Sequence, residues 1–473
     1  MNRSSIFLFS FIIIVNLIFN AVFQLHYDES YYWAWSQNLS LSYYDHPPMI
    51  AYMIWLTSHF GHSEFWVRLP ALVTLAITVF TGFKLASRMF DREVGNFALK
   101  LLLCVPLVNA LFFITTPDSP LFMFWMLTLY AFYIGVFENK VRYFYLAGIF
   151  AGLALLSKYT AILLFPGIFL FLLFSRYRYV LARVHVYLAF ILAFVVFSPV
   201  LIWNYHHDWI SFTYQFHHGV DLSKQHLDGM WDYLGSQLAV SGPFIFLATI
   251  YYIFRKFKTN FTDPKLAYLL WNFLFGYLIF LYFSTGKHIE GNWAGPVYLS
   301  STIFAAYWLY NSRKYWVFYV SLFFILLALV LTKFPQVFMP TQLRNKVPAI
   351  NVFFGNKQLV NHLNKYIQDP NQIVVGCDYG NTSRAWFYLN LPRAYILNDL
   401  PYANSYRYWS NNQLDLNKVN NIIYFCDGQD ITDYNVIKSH FKHVDLLESA
   451  TYSNAVADNH IYIYKASVPL DRK

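Results

Sequence analysis

The sequence predicts a polytopic α-helical membrane protein followed by a soluble α/β domain. Three observations lead there. Of 473 residues, 57% are hydrophobic and only 12% are charged, where a soluble globular chain carries roughly 25% charge. Apolar runs near the roughly 20 residues that cross a bilayer recur up to residue 333. From 334 onward no such run occurs, and short β-like runs alternate with polar, Asn-rich segments.

The apolar runs read as eleven spans, near 5–25, 66–88, 95–115, 119–137, 142–157, 159–175, 184–203, 236–255, 265–284, 292–310 and 314–333. The fifth and sixth are short and flank Ser157-Lys158. The first lacks a small-residue cleavage site, so it is expected to stay as a helix. Lys and Arg set orientation, because cytoplasmic loops carry the excess of both. With the N-terminus inside, the inner loops hold Lys84, Arg88 and Arg92; Lys140 and Arg142; Arg176, Arg178 and Arg183; Arg255, Lys256, Lys258 and Lys265; Arg313 and Lys314. The outer loops hold Arg68, Lys158, Lys224 and Lys287. The net charge of +9 is thus spread over short loops and reads as topology; no nucleic-acid partner is expected.

The division is 1–333 for the membrane domain and 334–473 for the α/β domain, which an odd span count leaves outside. Strand-like runs fall at 373–377, 386–389, 394–397, 421–425 and 461–464, and amphipathic helices near 355–367 and 432–442. Three cysteines make no disulfide framework. Cys377 and Cys426 each end a strand-like run; they pair if the domain faces an oxidising compartment, and otherwise are ordinary buried cysteines.

This topology puts most polar chemistry on one face. Asp28, Glu29, Asp45 and His46 fall in the first outer loop, Asp118 in the second, Lys158 at the third, Asn204 to Asp208 at the fourth, and Lys287, His288, Glu290 and Asn292 in the fifth. Ionisable groups at a membrane edge are costly and mark function. Asp28 is the first catalytic candidate and Asp118 the second. Asp118 also precedes Ser119-Pro120 and an apolar run, as an N-cap would. His46, Lys158, Lys287, Glu29 and Asp45 are candidates for a donor phosphate or lipid; the plainer reading of Lys158 is a snorkelling lysine. Tyr31, Tyr32 and Trp33 suit a sugar face or a lipid groove. Asp28 and Asp118 are also candidate ligands of a divalent metal. His206, His207 and Asp208 resemble a metal cluster, but adjacent side chains point apart. From Pro47 to about Phe60 an apolar stretch, too short to span, fits a helix lying in the interface.

The runs DESYYWAWSQNLSLSYYDHPPMIAY (28–52), FWVRLPAL (65–72), TTPDSPLFMFW (115–125), GLALLSKYTAILLFPG (152–167), SPVLIWNYHHDW (198–209) and GKHIEGNWAGPVYL (286–299) resemble the PMT-type GT-C membrane glycosyltransferases, over roughly residues 20–310. That family includes protein O-mannosyltransferases and the lipid A aminoarabinose transferase; the short bacterial branch is the nearer match. The resemblance implies a GT-C fold in the bacterial inner membrane. It also implies a polyprenyl-phosphate-linked sugar as donor, and inverting transfer on the outer face to lipid A or lipopolysaccharide core. Asp28 corresponds to the family's first-loop acid and Asp118 to its second. Where the aminoarabinose transferase has an acid-Lys-Pro element, this chain has Asp45-His46-Pro47. Two other readings stay open: protein Ser/Thr glycosylation with the same donor, and a transporter of lipid-linked sugars. The second expects ionisable residues deep in the spans and at both faces.

Overall fold

The computed structural model describes all residues except 220–226, 287, 341–352, 368, 370–371, 398–403, 417–418, 428–436, 454–457 and 470–473. The chain divides into two compact units. The first comprises Met1–Asn20, Leu41–Ile50 and Arg68–Ala328; the second comprises Ala21–Ser40, Ala51–Val67 and Leu329–Lys473.

Long apolar helices identify a membrane protein. Among the described residues six helices are long and apolar enough to cross: Arg3–Val22, Glu64–Met89, Asp118–Phe137, Val184–His206, Pro264–Phe283 and Trp316–Lys333. A seventh arises if the pair Asp228–Ser241 and Pro243–Arg255, bent by 109°, counts as one span. The bend sits where Gly242 takes φ +85° and Pro243 follows. Gly reaches that region without a Cβ penalty, and Pro fits only a first turn. The remaining expected spans form shorter helices. The run 95–115 breaks at Pro106 into Arg92–Leu102 and Pro106–Leu111. The runs 142–157 and 159–175 are Arg142–Leu155 and Tyr159–Phe174. The run 292–310 is Val297–Asn311, of 15 residues.

Asp118–Phe137 is the central helix of the first unit, with 78% of its apolar window buried, whereas Val184–His206 has 22% and turns its other side chains outward. Gly148 and Gly152 let Arg142–Leu155 press against Val184–His206. A Cβ on Gly152 would stand 2.6 Å from the Ala193 carbonyl oxygen, and one on Gly148 would strike the Ala189 backbone. Small residues four apart are what close helix packing in lipid requires.

The second unit is built on a four-stranded sheet. Its strands are β1 (Val374–Gly376), β2 (Asn421–Asp427), β3 (Phe441–Ser453) and β4 (Asp458–Pro469), in the order β1-β2-β4-β3. β1 and β2 are parallel; the other pairs are antiparallel. The helix Asn356–Asn364 buries Leu359 and Leu363 against Val374, Phe425, Ile461 and Ile463. Three sequence readings change here. The run 386–389 is helical, within Tyr379–Tyr388. Of the expected helix near 432–442, residues 432–436 lie outside the described residues, Ile437 and Lys438 are helical, and from Phe441 the chain is strand. β3 went unread. Gly376 pairs with Phe425, which sets Cys377 opposite Cys426, and the two form a disulfide with Cα atoms 5.2 Å apart.

Candidate active site

In the first unit the polar motifs of the sequence meet through specific atoms. Asp118 is the first residue of its helix and 3% exposed. It is not the expected cap, since Pro117 holds that position and makes no side-chain cap bond. Its carboxylate faces inward. Lys158 donates from Nζ to both oxygens at 2.9 Å, and Asn292 donates from Nδ2 to Oδ2 at 2.9 Å. Lys158 is 6% exposed and stands in extended backbone between Arg142–Leu155 and Tyr159–Leu163. It therefore does not snorkel; it is a buried cation with a buried partner. An ammonium has three N–H donors, and two are spent on Asp118.

The neighbouring motifs close on the same loop. The Met49 N–H donates to the Leu156 carbonyl at 3.0 Å, which sets Pro47-Pro48 beside the approach to Lys158. The Tyr159 hydroxyl lies 2.7 Å from Ser211 Oγ and also interacts with Ser42 and Asn204. Gln215 donates to the Asp45 carbonyl, and Tyr44 packs on Tyr214 with centroids 4.7 Å apart. Burial, aided by the Asp45 charge, pushes the Tyr214 phenol up to about 12. His46 is half-buried in this loop, its carbonyl accepting from the Tyr43 N–H at 3.3 Å. Lys287 lies outside the described residues. His207 stacks on Trp203 at 3.9 Å and meets the Trp203 carbonyl through Nδ1. Among the described residues no three His, Cys, Asp or Glu side chains group as a metal cluster would.

The second unit contains the first-loop acids. His26 caps the helix Tyr27–Gln37: its Nδ1 accepts from the Asp28 N–H at 3.1 Å, and Glu29 Oε2 accepts from the His26 N–H at 2.9 Å. This reciprocal capping box gives fully buried Glu29 a structural task. Asp28 instead keeps a side chain 32% exposed, with Oδ2 3.6 Å from His26 Nδ1 and Oδ1 accepting from the Tyr379 hydroxyl at 3.4 Å. Tyr31 and Trp33 are 3% and 5% exposed and pack within this unit. Tyr31 lies 4.5 Å from Tyr379 and accepts from the Ser405 N–H at 2.7 Å; Trp33 meets Trp386 and Phe387 edge-on. Tyr32 packs on Trp35 at 5.1 Å. Tyr31 and Trp33 hold the helix Tyr27–Gln37 to Tyr379–Tyr388. Asn292 and Tyr379 were not singled out as site residues. Asn292 at least sits in a polar motif, GNWAG; nothing in the sequence near Tyr379 points to Asp28.

The family model of dolichyl-phosphate-mannose-protein mannosyltransferases matches residues 45–203. The fold also matches ArnT of Cupriavidus metallidurans over 97% of both chains, at 14% identity with a TM-score of 0.68 in its apo state. Against the same protein bound to undecaprenyl phosphate the TM-score is 0.70, at 13% identity over 98% of both chains. The chain has the GT-C fold. The chain is also 30% identical over 289 residues to the lipid A galacturonosyltransferase RgtD of Rhizobium johnstonii, an alignment covering 60% of each.

Proposed function

We propose that the chain is a glycosyltransferase that moves a sugar from a polyprenyl-phosphate donor to lipid A or lipopolysaccharide core, on the outer face of a bacterial inner membrane. The observation that carries this reading is the meeting of five distant motifs around the buried Asp118–Lys158 pair. The nature of two similar proteins supports it: one acts on lipid A, and the other was captured with undecaprenyl phosphate. Residues 1–333 carry the transfer chemistry and 334–473 form a periplasmic domain.

The reaction is a single displacement. An acceptor oxygen attacks the anomeric carbon, the bond from that carbon to the phosphate oxygen breaks, and the polyprenyl phosphate leaves with the electron pair, inverting the centre. Where the acceptor is a hydroxyl, its proton passes to the Asp28 carboxylate, which is open enough to be reached. The leaving phosphate gains negative charge and needs cations or donors. The third N–H of Lys158, protonated His46 and Lys287 take that role, with Asp45 orienting the His46 loop. Asp118 holds Lys158 in place. A divalent ion would supply the same charge neutralisation; the Lys158 ammonium already does so at Asp118.

The test is Asp28→Asn assayed in membranes with polyprenyl-phosphate sugars, galacturonate first, and lipid A as acceptor. Loss of a general base lowers the rate by about 10²–10⁴-fold. Near wild-type transfer by Asp28→Asn at normal expression removes the role. Transfer to a Ser/Thr peptide in place of lipid A moves the acceptor to protein.

A further inference from the structure

The helices that begin near the Asp118 cluster lead to a second polar feature at their other end. Asp118–Phe137 ends beside Glu138, which gathers Arg88 and Lys140; Val297–Asn311 ends at Asn311. There a pocket of about 330 Å³ is lined by Asp91, Arg176, Asp263, Lys265, Tyr307 and Asn311, among others. It lies within the first unit and has no part in the chemistry above.

The pocket has two positive and two negative groups, and no ion pair within 4.0 Å joins any of them among the described residues. Each carboxylate is half used. Asp91 Oδ1 caps its helix by accepting from the Glu93 and Val94 N–H groups at 2.9 and 2.8 Å. Asp263 Oδ1 accepts from the Lys265 and Leu266 N–H groups at 2.8 and 3.3 Å. The Oδ2 atom of each has no donor among the described residues. Arg176 lies on the Tyr177 ring, 5.3 Å from its centroid, and Lys265 donates to the Met89 carbonyl. Opposite charges held apart at a membrane edge fit a guest that bears both signs, because it desolvates no charge without a partner.

An apolar wall adjoins the pocket. Phe174, two residues before Arg176, stacks on Trp271 at 5.3 Å; Phe261, two before Asp263, meets Trp271 at 5.7 Å and Phe257 at 4.9 Å. Phe174 is 62% and Phe257 59% exposed. Trp271 stands six residues past Lys265 on Pro264–Phe283, roughly 9 Å along the helix. A polar, doubly charged head site continued by an exposed aromatic strip is the outline of a phospholipid.

We propose that this pocket binds the phosphoethanolamine headgroup of an aminophospholipid. The phosphate lies at Arg176 and Lys265, the ammonium at Asp91 and Asp263, and an acyl chain along Phe174, Trp271 and Phe261. A primary ammonium offers three N–H donors to the two Oδ2 atoms; a choline head offers none, and a glycerol head leaves both carboxylates uncompensated.

The experiment uses the full-length protein purified in detergent, with binding read by native mass spectrometry and by melting temperature. The added probes are phosphatidylethanolamine, phosphatidylcholine, phosphatidylglycerol and soluble glycerophosphoethanolamine. Phosphatidylethanolamine is expected to be retained and to raise the melting temperature more than the other three. Asp263→Asn keeps a competent helix cap and Arg176→Gln keeps length. Each is expected to weaken phosphatidylethanolamine about tenfold, the effect of one charge-assisted hydrogen bond, while the lipid-free melting temperature holds. Equal binding of phosphatidylglycerol or phosphatidylcholine, or variants that bind as wild type, overturns the proposal. So does soluble headgroup that binds as tightly as the lipid.

Discussion

Asp118 and Lys158 each satisfy the other at a depth where neither is tolerable alone. The lysine and Asn292 account for three donors to one carboxylate. Removing one partner from a buried pair leaves an uncompensated charge, at about 3–5 kcal/mol. Lys158→Met is therefore expected to lower thermal stability by that order, read by unfolding in detergent. The double variant Lys158→Met/Asp118→Asn is expected to recover most of the stability but none of the transfer rate. A double variant as unstable as the single one would mean that the pair is not the cause. Each residue was legible singly, Asp118 from its Pro-Asp setting and Lys158 as a charge between apolar runs. That they bond each other was not, since 40 residues and two helices separate them. Glu29 shows the opposite case: beside Asp28 it reads as a second functional acid, yet three residues after His26 it closes a capping box.

The helix Tyr27–Gln37 shows why an aromatic run is ambiguous. Tyr31, Tyr32 and Trp33 read as a substrate surface because nothing nearby in sequence covers them. The cover of Tyr31 and Trp33 is Tyr379–Tyr388, about 350 residues on, while Tyr32 packs on Trp35. That second helix was itself hidden, because Trp386-Phe387-Tyr388 has the composition of a strand; packing overrode propensity. β3 escaped for another reason. It is the sheet edge, and its Lys442, His443, Asp445 and Glu448 break the alternation that marks a half-buried strand, while protecting an edge from pairing with other chains. Glu448 ties β3 to Asn356–Asn364: its Oε1 is 2.7 Å from His362 Nδ1 and 3.0 Å from Lys365 Nζ. Burial pushes its carboxyl upward, but the bonds from Lys365 and His362 outweigh that and hold it below the usual range. A depressed folded pKa gives stability that is present above the unfolded value of 4.5 and is lost as pH falls through the folded value. The melting temperature of this unit is expected to drop on acidification from pH 5 to pH 3, roughly the carboxylate range. Glu448→Gln should flatten that slope; an unchanged slope removes Glu448 as its source.

At the scale of the molecule, six spans were legible because apolar length alone marks them. The other expected spans rest on burial by neighbouring helices, which lets them be short or bent, and length cannot report that. Loop charge predicted more. Loops read separately as cytoplasmic meet at one end of the first unit: Arg88 and Lys140 on Glu138, Arg183 on Asn139, and Lys265 on Met89. Asp118, Lys158 and Asn292 lie at the opposite starts of the helices Asp118–Phe137 and Val297–Asn311. Four loops read as inner on one end fits a single orientation, and by the excess of Lys and Arg there that end is expected to face the cytoplasm. The native cysteines give a quiet background for testing this, since Cys104 is buried and Cys377 is bonded to Cys426. A cysteine at His288, whose side chain is 69% exposed, is expected to react with a membrane-impermeant maleimide in intact spheroplasts. A cysteine at exposed Lys258 is expected to react only after the membrane is opened. The reverse pattern would invert the topology and place the Asp118 cluster on the nucleotide-sugar side of the membrane, where a polyprenyl-linked donor would have no need to be used.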